Sequence, residues 1–202
     1  VTDTYICRGE DIETWEPRFT YHGFRFVEMT GYPGTPDLSS IEGRVVHDDL
    51  EIDGHFECSN PTINQIYKNA FWGIRGNYRS IPTDCPQRDE RQGWLGDRSN
   101  ESRGESKIFN VSAFYSKWLD DMRDAQLDNG SIPDVAPSYW PIYSDNTTWP
   151  GSYIIIPAML YDVYGDVETI RRHYPTMKKW IDHMSGYLKN DIMPQDKYGD
   201  WC

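Results

Sequence analysis

The stretch Ser80-Ile-Pro-Thr-Asp-Cys-Pro-Gln-Arg-Asp-Glu-Arg-Gln-Gly-Trp-Leu-Gly-Asp97 lies between two helical patterns. It gathers four carboxylates (Asp84, Asp89, Glu90, Asp97), two arginines (Arg88, Arg91), two prolines, two glycines and a tryptophan. Proline fixes φ, and glycine admits backbone angles closed to other residues, so such a connection can be held in one shape while its charged side chains converge. Asp84 and Glu90 are the natural pair for binding and acid–base work, with Arg88 or Arg91 available to hold one carboxylate ionised. On residue types alone, the rival reading is a surface turn with solvated ion pairs.

On the N-terminal side of this stretch, Ser59-Asn60-Pro61 supplies a polar N-cap and a proline for the first helical position. Ile63, Ile66, Tyr67, Ala70, Phe71, Ile74 and Tyr78 then recur at helical spacing and lead the chain into the charged stretch. On the C-terminal side, Arg98 to Lys107 is polar with a thin apolar face, a weak helical pattern. Val111, Phe114, Tyr115, Trp118, Leu119 and Met122 make a strong one that stops near Asn129-Gly130. Residues 130–150 carry Pro133, Pro137, Pro141 and Pro150 among Tyr139, Trp140, Tyr143 and Trp149. This is a long loop whose aromatics argue against disorder. Tyr153 to Tyr164 is apolar nearly all round and predicts a helix buried on every side, ending at Gly165-Asp166. The last pattern runs through Ile170, Tyr174, Met177, Ile181, Met184 and Leu188, with Pro175 expected to kink or divide it.

Further upstream the period changes. Phe24 and Phe26 alternate with Arg25 and Val27 between Phe19 and Met29, and Val45 and Val46 lie in a second strand-like run from Gly43 to Leu50. Two or three strands cannot hold themselves together, so they are expected to belong to a larger sandwich. The chain thus divides into 1–50, the end of an antiparallel β-sandwich domain with its linker, and 51–202, about five helices joined alternately by short turns and long loops. That alternation is what successive hairpins of an (α/α)6 toroid give.

A net charge of −12 over 202 residues argues against a nucleic-acid backbone or an anionic membrane as partner and suits a neutral, hydroxyl-rich ligand. Eight Trp and fourteen Tyr offer apolar platforms for sugar rings, although a single Trp is more often simply core. Cys7, Cys58, Cys85 and Cys202 form no Cys-x-x-Cys pair and the five His are isolated, so neither metal nor cofactor is expected. No apolar run is long enough for membrane insertion. The chain opens without Met and closes inside a motif, which reads as an internal piece of a longer protein.

Asp84-Cys-Pro-Gln-Arg-Asp-Glu-Arg91, followed by Gly93-Trp94 and Gly96-Asp97, resembles the signature of the inverting α-L-rhamnosidase family of glycoside hydrolases. Phe19 to Glu28 resembles the last strand region of the β-sandwich before that family's catalytic domain, Gly54 to Asn60 the approach to its first helix, and Gly130 to Pro137 a loop on its active face. The resemblance implies a mainly α fold, an incomplete (α/α)6 toroid preceded by the final strands of a β-sandwich. It implies hydrolysis of terminal α-L-rhamnose from a rhamnose-containing oligosaccharide, polysaccharide or glycoside. Glu90 takes the place of the general acid, Asp84 and Asp97 those of sugar-hydroxyl ligands, and Trp94, Trp149 and Trp201 those of aromatic walls. Gly96-Asp97-Arg98-Ser99 departs from the pattern at a pocket edge. Two alternatives stay open: another glycosidase on the same toroid, and a non-catalytic carbohydrate-binding relative.

Four expectations follow. The loops 80–97 and 130–150 and the chain end near Trp201 converge on one face. Burial, the apolar ring of Trp94 and the charges of Asp84 and Asp97 raise the pKa of Glu90, while Arg88 and Arg91 pair with Asp89 or outer carboxylates. The general base lies beyond residue 202, the candidates within the chain (Asp134, Asp145, Asp200) standing in no motif for that role, so the isolated chain should be inactive. It should also fold poorly and show apolar surface along Ile154–Leu160 and along Ile170, Met177, Ile181 and Met184.

Overall fold

Asn60 caps the first helix as its sequence predicts. Its side chain accepts the N–H groups of Thr62 and Ile63 at 2.9 and 3.4 Å, and Pro61, in the first turn, has no N–H to leave unsatisfied. From here the computed structural model, which describes residues 1–198, runs through five α-helices: α1 (Pro61–Asn77), α2 (Leu95–Glu105), α3 (Ser112–Asp124), α4 (Ser152–Tyr164) and α5 (Val167–Ser185).

The core forms where the apolar periodicity is strongest. Phe114, Tyr115, Trp118, Leu119 and Met122 of α3 are buried with Ile156, Met159 and Leu160 of α4 and Met177, Trp180 and Met184 of α5. Gly165, at φ 68°, supplies the left-handed residue that closes α4. Helix α4 is not buried on every side, because Ile155 and Tyr161 are exposed. Helix α5 runs undivided through Pro175. The bond this proline cannot make would have gone to the carbonyl of Arg171, and both residues lie on the exposed side, where water can take up the freed carbonyl.

Helix α2 shows why its apolar face reads as thin. Its buried side holds a charge pair, in which Arg98 contacts Glu105 and also Glu101 at 3.0 Å, while Glu105 accepts the hydroxyl of Tyr115 from α3. Arg98 and Glu105 are both buried, so this helix docks on α3 and α4 through paired polar groups as well as through Leu95.

Upstream of α1 the expected strands do not pair. Among the described residues, positions 1–60 are extended or irregular apart from one turn of 3-10 helix at Leu38–Ser40 and an isolated bridge between Ile52 and Phe109. Phe24, Phe26 and Val27 are 63%, 85% and 56% exposed, so the expected two-faced alternation has no buried face here. A strand needs a neighbour for its N–H and C=O groups, and no segment of the described chain lies alongside to provide one. What the segment does provide is ties to the helical part. The Asp48 N–H bonds the Tyr78 carbonyl (2.9 Å), the Asn110 N–H bonds the Glu51 carbonyl (2.8 Å), and the Gly23 N–H bonds the Pro86 carbonyl (3.1 Å).

The expected open apolar surface is mostly in a different place. Ile156, Met159, Leu160, Met177 and Met184 are buried and Ile154 and Ile170 are partly so, leaving Ile155 and Ile181 exposed. The open apolar side chains lie instead on α1, which has no buried residue and exposes Ile63, Ile66 and Trp72, and along residues 1–60. The reason is that α3, α4, α5 and the 130–150 loop already enclose one another.

Candidate active site

The charged stretch is pinned at both ends before any of its side chains does chemistry. Tyr78 and Pro82 form a bridge at its start, and Trp94 bridges to Val135 at its end. The Leu95 N–H donates to the Asp134 carbonyl and the Ala136 N–H to the Gly93 carbonyl, both at 2.9 Å. Gly93 must be glycine, since a Cβ there would stand 2.2 Å from the Ala136 carbonyl oxygen. Inside the stretch, the Asp84 N–H bonds the Gln92 carbonyl at 2.7 Å, which folds residues 84–92 back on themselves. Cys85 and Arg91 take φ of 41° and 50°, an uncommon conformation for residues with side chains, at the two places where this hairpin turns. The loops 80–97 and 130–150 are thus joined, as the sequence predicts.

Glu90 projects from this hairpin with two unlike oxygens. Oε1 accepts the indole N–H of Trp94 at 2.7 Å and the backbone N–H of Gln92 at 3.0 Å. Oε2 is buried and has no hydrogen-bond partner among the described residues. Burial raises the pKa of Glu90 above the ordinary carboxylate range; the Gln92 and Trp94 donors pull against this, and the charge of Asp84 adds to it. The direction is the expected one, but Trp94 acts against it, because it presents its N–H to the acid rather than an apolar face. Its ring faces a residue that the sequence did not single out, Trp140, with centroids 6.3 Å apart and edge to face.

Carboxylate oxygens of Asp84 and Glu90 and the thiol of Cys85 lie within 4.8 Å of one another. Three such donors could hold a cation. Their hydrogen bonds account for the arrangement without one, since Cys85 donates to Asp84 Oδ2 at 3.2 Å and accepts from Arg88 at 3.1 Å. Asp97 stands in the first turn of α2, where burial first and then the Asp84 charge raise its pKa against the pull of Arg98. Arg91 pairs with Asp89 at 3.5 Å as expected, whereas Arg88 donates to the Cys85 sulfur and pairs with no carboxylate; among the described residues no guanidinium pairs with Glu90.

The second loop brings up the aromatic side. The indole of Trp149 lies against Gly96, where a Cβ would be 2.4–2.8 Å from its ring atoms, so only glycine allows the ring this close to the start of α2. Tyr198 packs on the same indole with centroids 4.5 Å apart. Trp201 and Asp200 lie outside the described residues. Asp134, a base candidate by residue type, is fully buried and accepts Ser144 Oγ (2.7 Å), Asn146 Nδ2 (2.9 Å) and the Tyr198 hydroxyl (2.9 Å). Burial raises its pKa over the opposing pull of these donors. Asp145 is equally engaged, by Ser131 (2.5 Å), Tyr187 (2.8 Å) and His183 (3.0 Å). Tyr198, Trp140 and Asn146 are the residues sequence reasoning missed. The aromatic density of the loop was a general signal, but nothing in their spacing distinguishes them from core or turn residues.

Residues 51–202 match the model of the bacterial alpha-L-rhamnosidase six-hairpin glycosidase domain, and residues 1–47 that of the bacterial alpha-L-rhamnosidase concanavalin-like domain. An alpha-L-rhamnosidase of Streptomyces avermitilis is 40% identical over 200 residues, 99% of this chain and 19% of that protein. A crystal structure of Streptomyces avermitilis alpha-L-rhamnosidase complexed with L-rhamnose superposes with a TM-score of 0.90 at 39% identity over 96% of this chain and 19% of the other. The structure of alpha-L-rhamnosidase from Dictyoglumus thermophilum gives a TM-score of 0.89 at 49% identity, over 93% of this chain and 21% of that one. The chain therefore spans about a fifth of the length of the relatives it matches.

Proposed function

The chain belongs to the bacterial α-L-rhamnosidase family of glycoside hydrolases, and from that premise we propose that it carries the acid side of a site that removes terminal α-L-rhamnose with inversion. An inverting hydrolase needs one protonated carboxyl at the leaving oxygen and one carboxylate across the sugar, roughly 6.5–9.5 Å away, with room for water between. Glu90 is the acid.

The observation that carries this assignment is the inequality of its two oxygens. Oε1 is committed to the Trp94 and Gln92 donors, so the proton resides on Oε2, which is buried and unpartnered among the described residues. Burial raises the pKa of Glu90, the direction an acid that must hold its proton requires. Asp84, with an oxygen within 4.8 Å of a Glu90 oxygen, is too near to stand across a sugar and a water, and serves instead as a ligand for sugar hydroxyls together with Asp97. Trp94 and Trp149 are walls of the sugar pocket, and Trp201 is a third. Asp134 and Asp145 have their oxygens occupied, which speaks against either as the base and fits a base drawn from elsewhere in the full-length protein. The break between the two matched regions supports a domain division at about residue 50.

The test is Glu90→Gln in the full-length protein that carries this chain. Alkyl rhamnosides should no longer be hydrolysed, by a factor of at least about 100, while binding of L-rhamnose persists, because the amide keeps the shape of the acid but has no proton to give. Nitrophenyl rhamnoside, whose leaving group departs with little protonic help, should lose less. Equal loss on both substrates would remove Glu90 from the role of acid.

A further inference from the structure

We infer that Asp134 is a positioning residue for the aromatic side of the site, fixing Trp149 and Tyr198 as a paired wall relative to Trp94 and Glu90. The inference rests on the sugar-site reading above and deepens it. Asp134 reaches both sides at once. Through its peptide it holds the acid side: its carbonyl accepts the Leu95 N–H at 2.9 Å, and its neighbour Val135 bridges to Trp94. Through its carboxylate it holds the aromatic side. Oδ1 accepts Ser144 and Asn146, and Asn146 in turn accepts the backbone N–H of Trp149 on its own Oδ1 at 2.7 Å. Oδ2 accepts the hydroxyl of Tyr198, whose ring lies on Trp149.

The Trp149 indole is therefore bracketed. Gly96 stands against it, Tyr198 packs on it, and both brackets trace to one buried carboxylate or its peptide. A buried carboxylate that served packing alone could draw its donors from anywhere nearby. Here all three come from the two segments that carry or touch this indole, 144–149 and Tyr198. Tyr198 thereby becomes part of the wall.

Tyr198→Phe in the full-length protein is the deciding variant, since it keeps the ring and leaves Asp134 two of its donors. The KM for nitrophenyl α-L-rhamnoside and the dissociation constant for free L-rhamnose should both rise about three- to tenfold, with kcat within about twofold of wild type. Asp134→Asn replaces an acceptor by a donor facing donors, and should raise the same two constants by about tenfold or more without shifting the pH profile of kcat. A Tyr198→Phe protein with unaltered KM and rhamnose affinity would overturn the inference, as would a loss confined to kcat. A wild-type protein that neither binds L-rhamnose nor cleaves the glycoside overturns the sugar-site reading, and the inference with it. An active wild type beside an unaltered variant overturns the inference alone.

Discussion

A carboxylic acid that has to keep its proton near neutrality and also aim it in one direction needs oxygens in different circumstances, and Glu90 has them. The Gln92 backbone N–H makes them different together with the Trp94 indole N–H, a donor that stabilises the ionised form. Trp94→Phe removes that donor and keeps an aromatic face, so the pKa of Glu90 should rise further. Since the acid works when protonated, the alkaline limb of the kcat/KM profile for an alkyl rhamnoside should move to higher pH. A limb that stays in place or moves toward acid would show that the hydrogen bond does not tune the acid. At this scale the sequence was legible in residue type and spacing: the pairing of Arg91 with Asp89 and the nearness of Asp84 to Glu90 follow from a short hairpin. The part played by Trp94 was not legible, because a tryptophan can offer its face or its N–H and spacing does not decide which.

Helices α1, α3, α4 and α5 could be read from apolar periodicity because their positions are set by apolar contacts or by a cap. Helix α2 could be read only weakly, because beside Leu95, Gly96 and Ser102 it buries the charged Arg98 and Glu105. Arg98 finds its partner Glu105 seven residues on, two turns along the same side of the helix. Breaking one member of a buried pair leaves the other uncompensated. Arg98→Met should therefore cost about 3–5 kcal/mol, read from urea unfolding, and adding Glu105→Gln should recover part of it. A single variant as stable as wild type, or a double variant no better than the single, would show that the pair is not what seats α2. The missing strand ladders have a similar cause. Alternation in 19–29 tells which way side chains point, but pairing depends on a neighbour that no local pattern encodes.

At the scale of the whole chain, the toroidal segment and the meeting of its two long loops could be anticipated, while the location of the open apolar surface could not. Periodicity shows that a helix has an apolar face and is silent on which neighbour covers it. Helix α1 has such a face, and none of its residues is buried; the loop that follows it has bonds and burial that α1 lacks. This reverses the usual ranking of regular and irregular structure in amide hydrogen exchange. A helix that packs little can open alone at small cost, whereas the amides of Leu95 and Ala136, each bonded across the two loops and fully buried, are released only when the core comes apart. In the 202-residue chain, those two loop amides should exchange at least about tenfold more slowly than the mid-α1 amides of Ile66 to Ala70. Equal protection would mean that α1 is held by something other than its own hydrogen bonds. On the expected outcome, the rigid part of this molecule is its connections, and deuterium would enter a helix before it entered the loops that hold the acid.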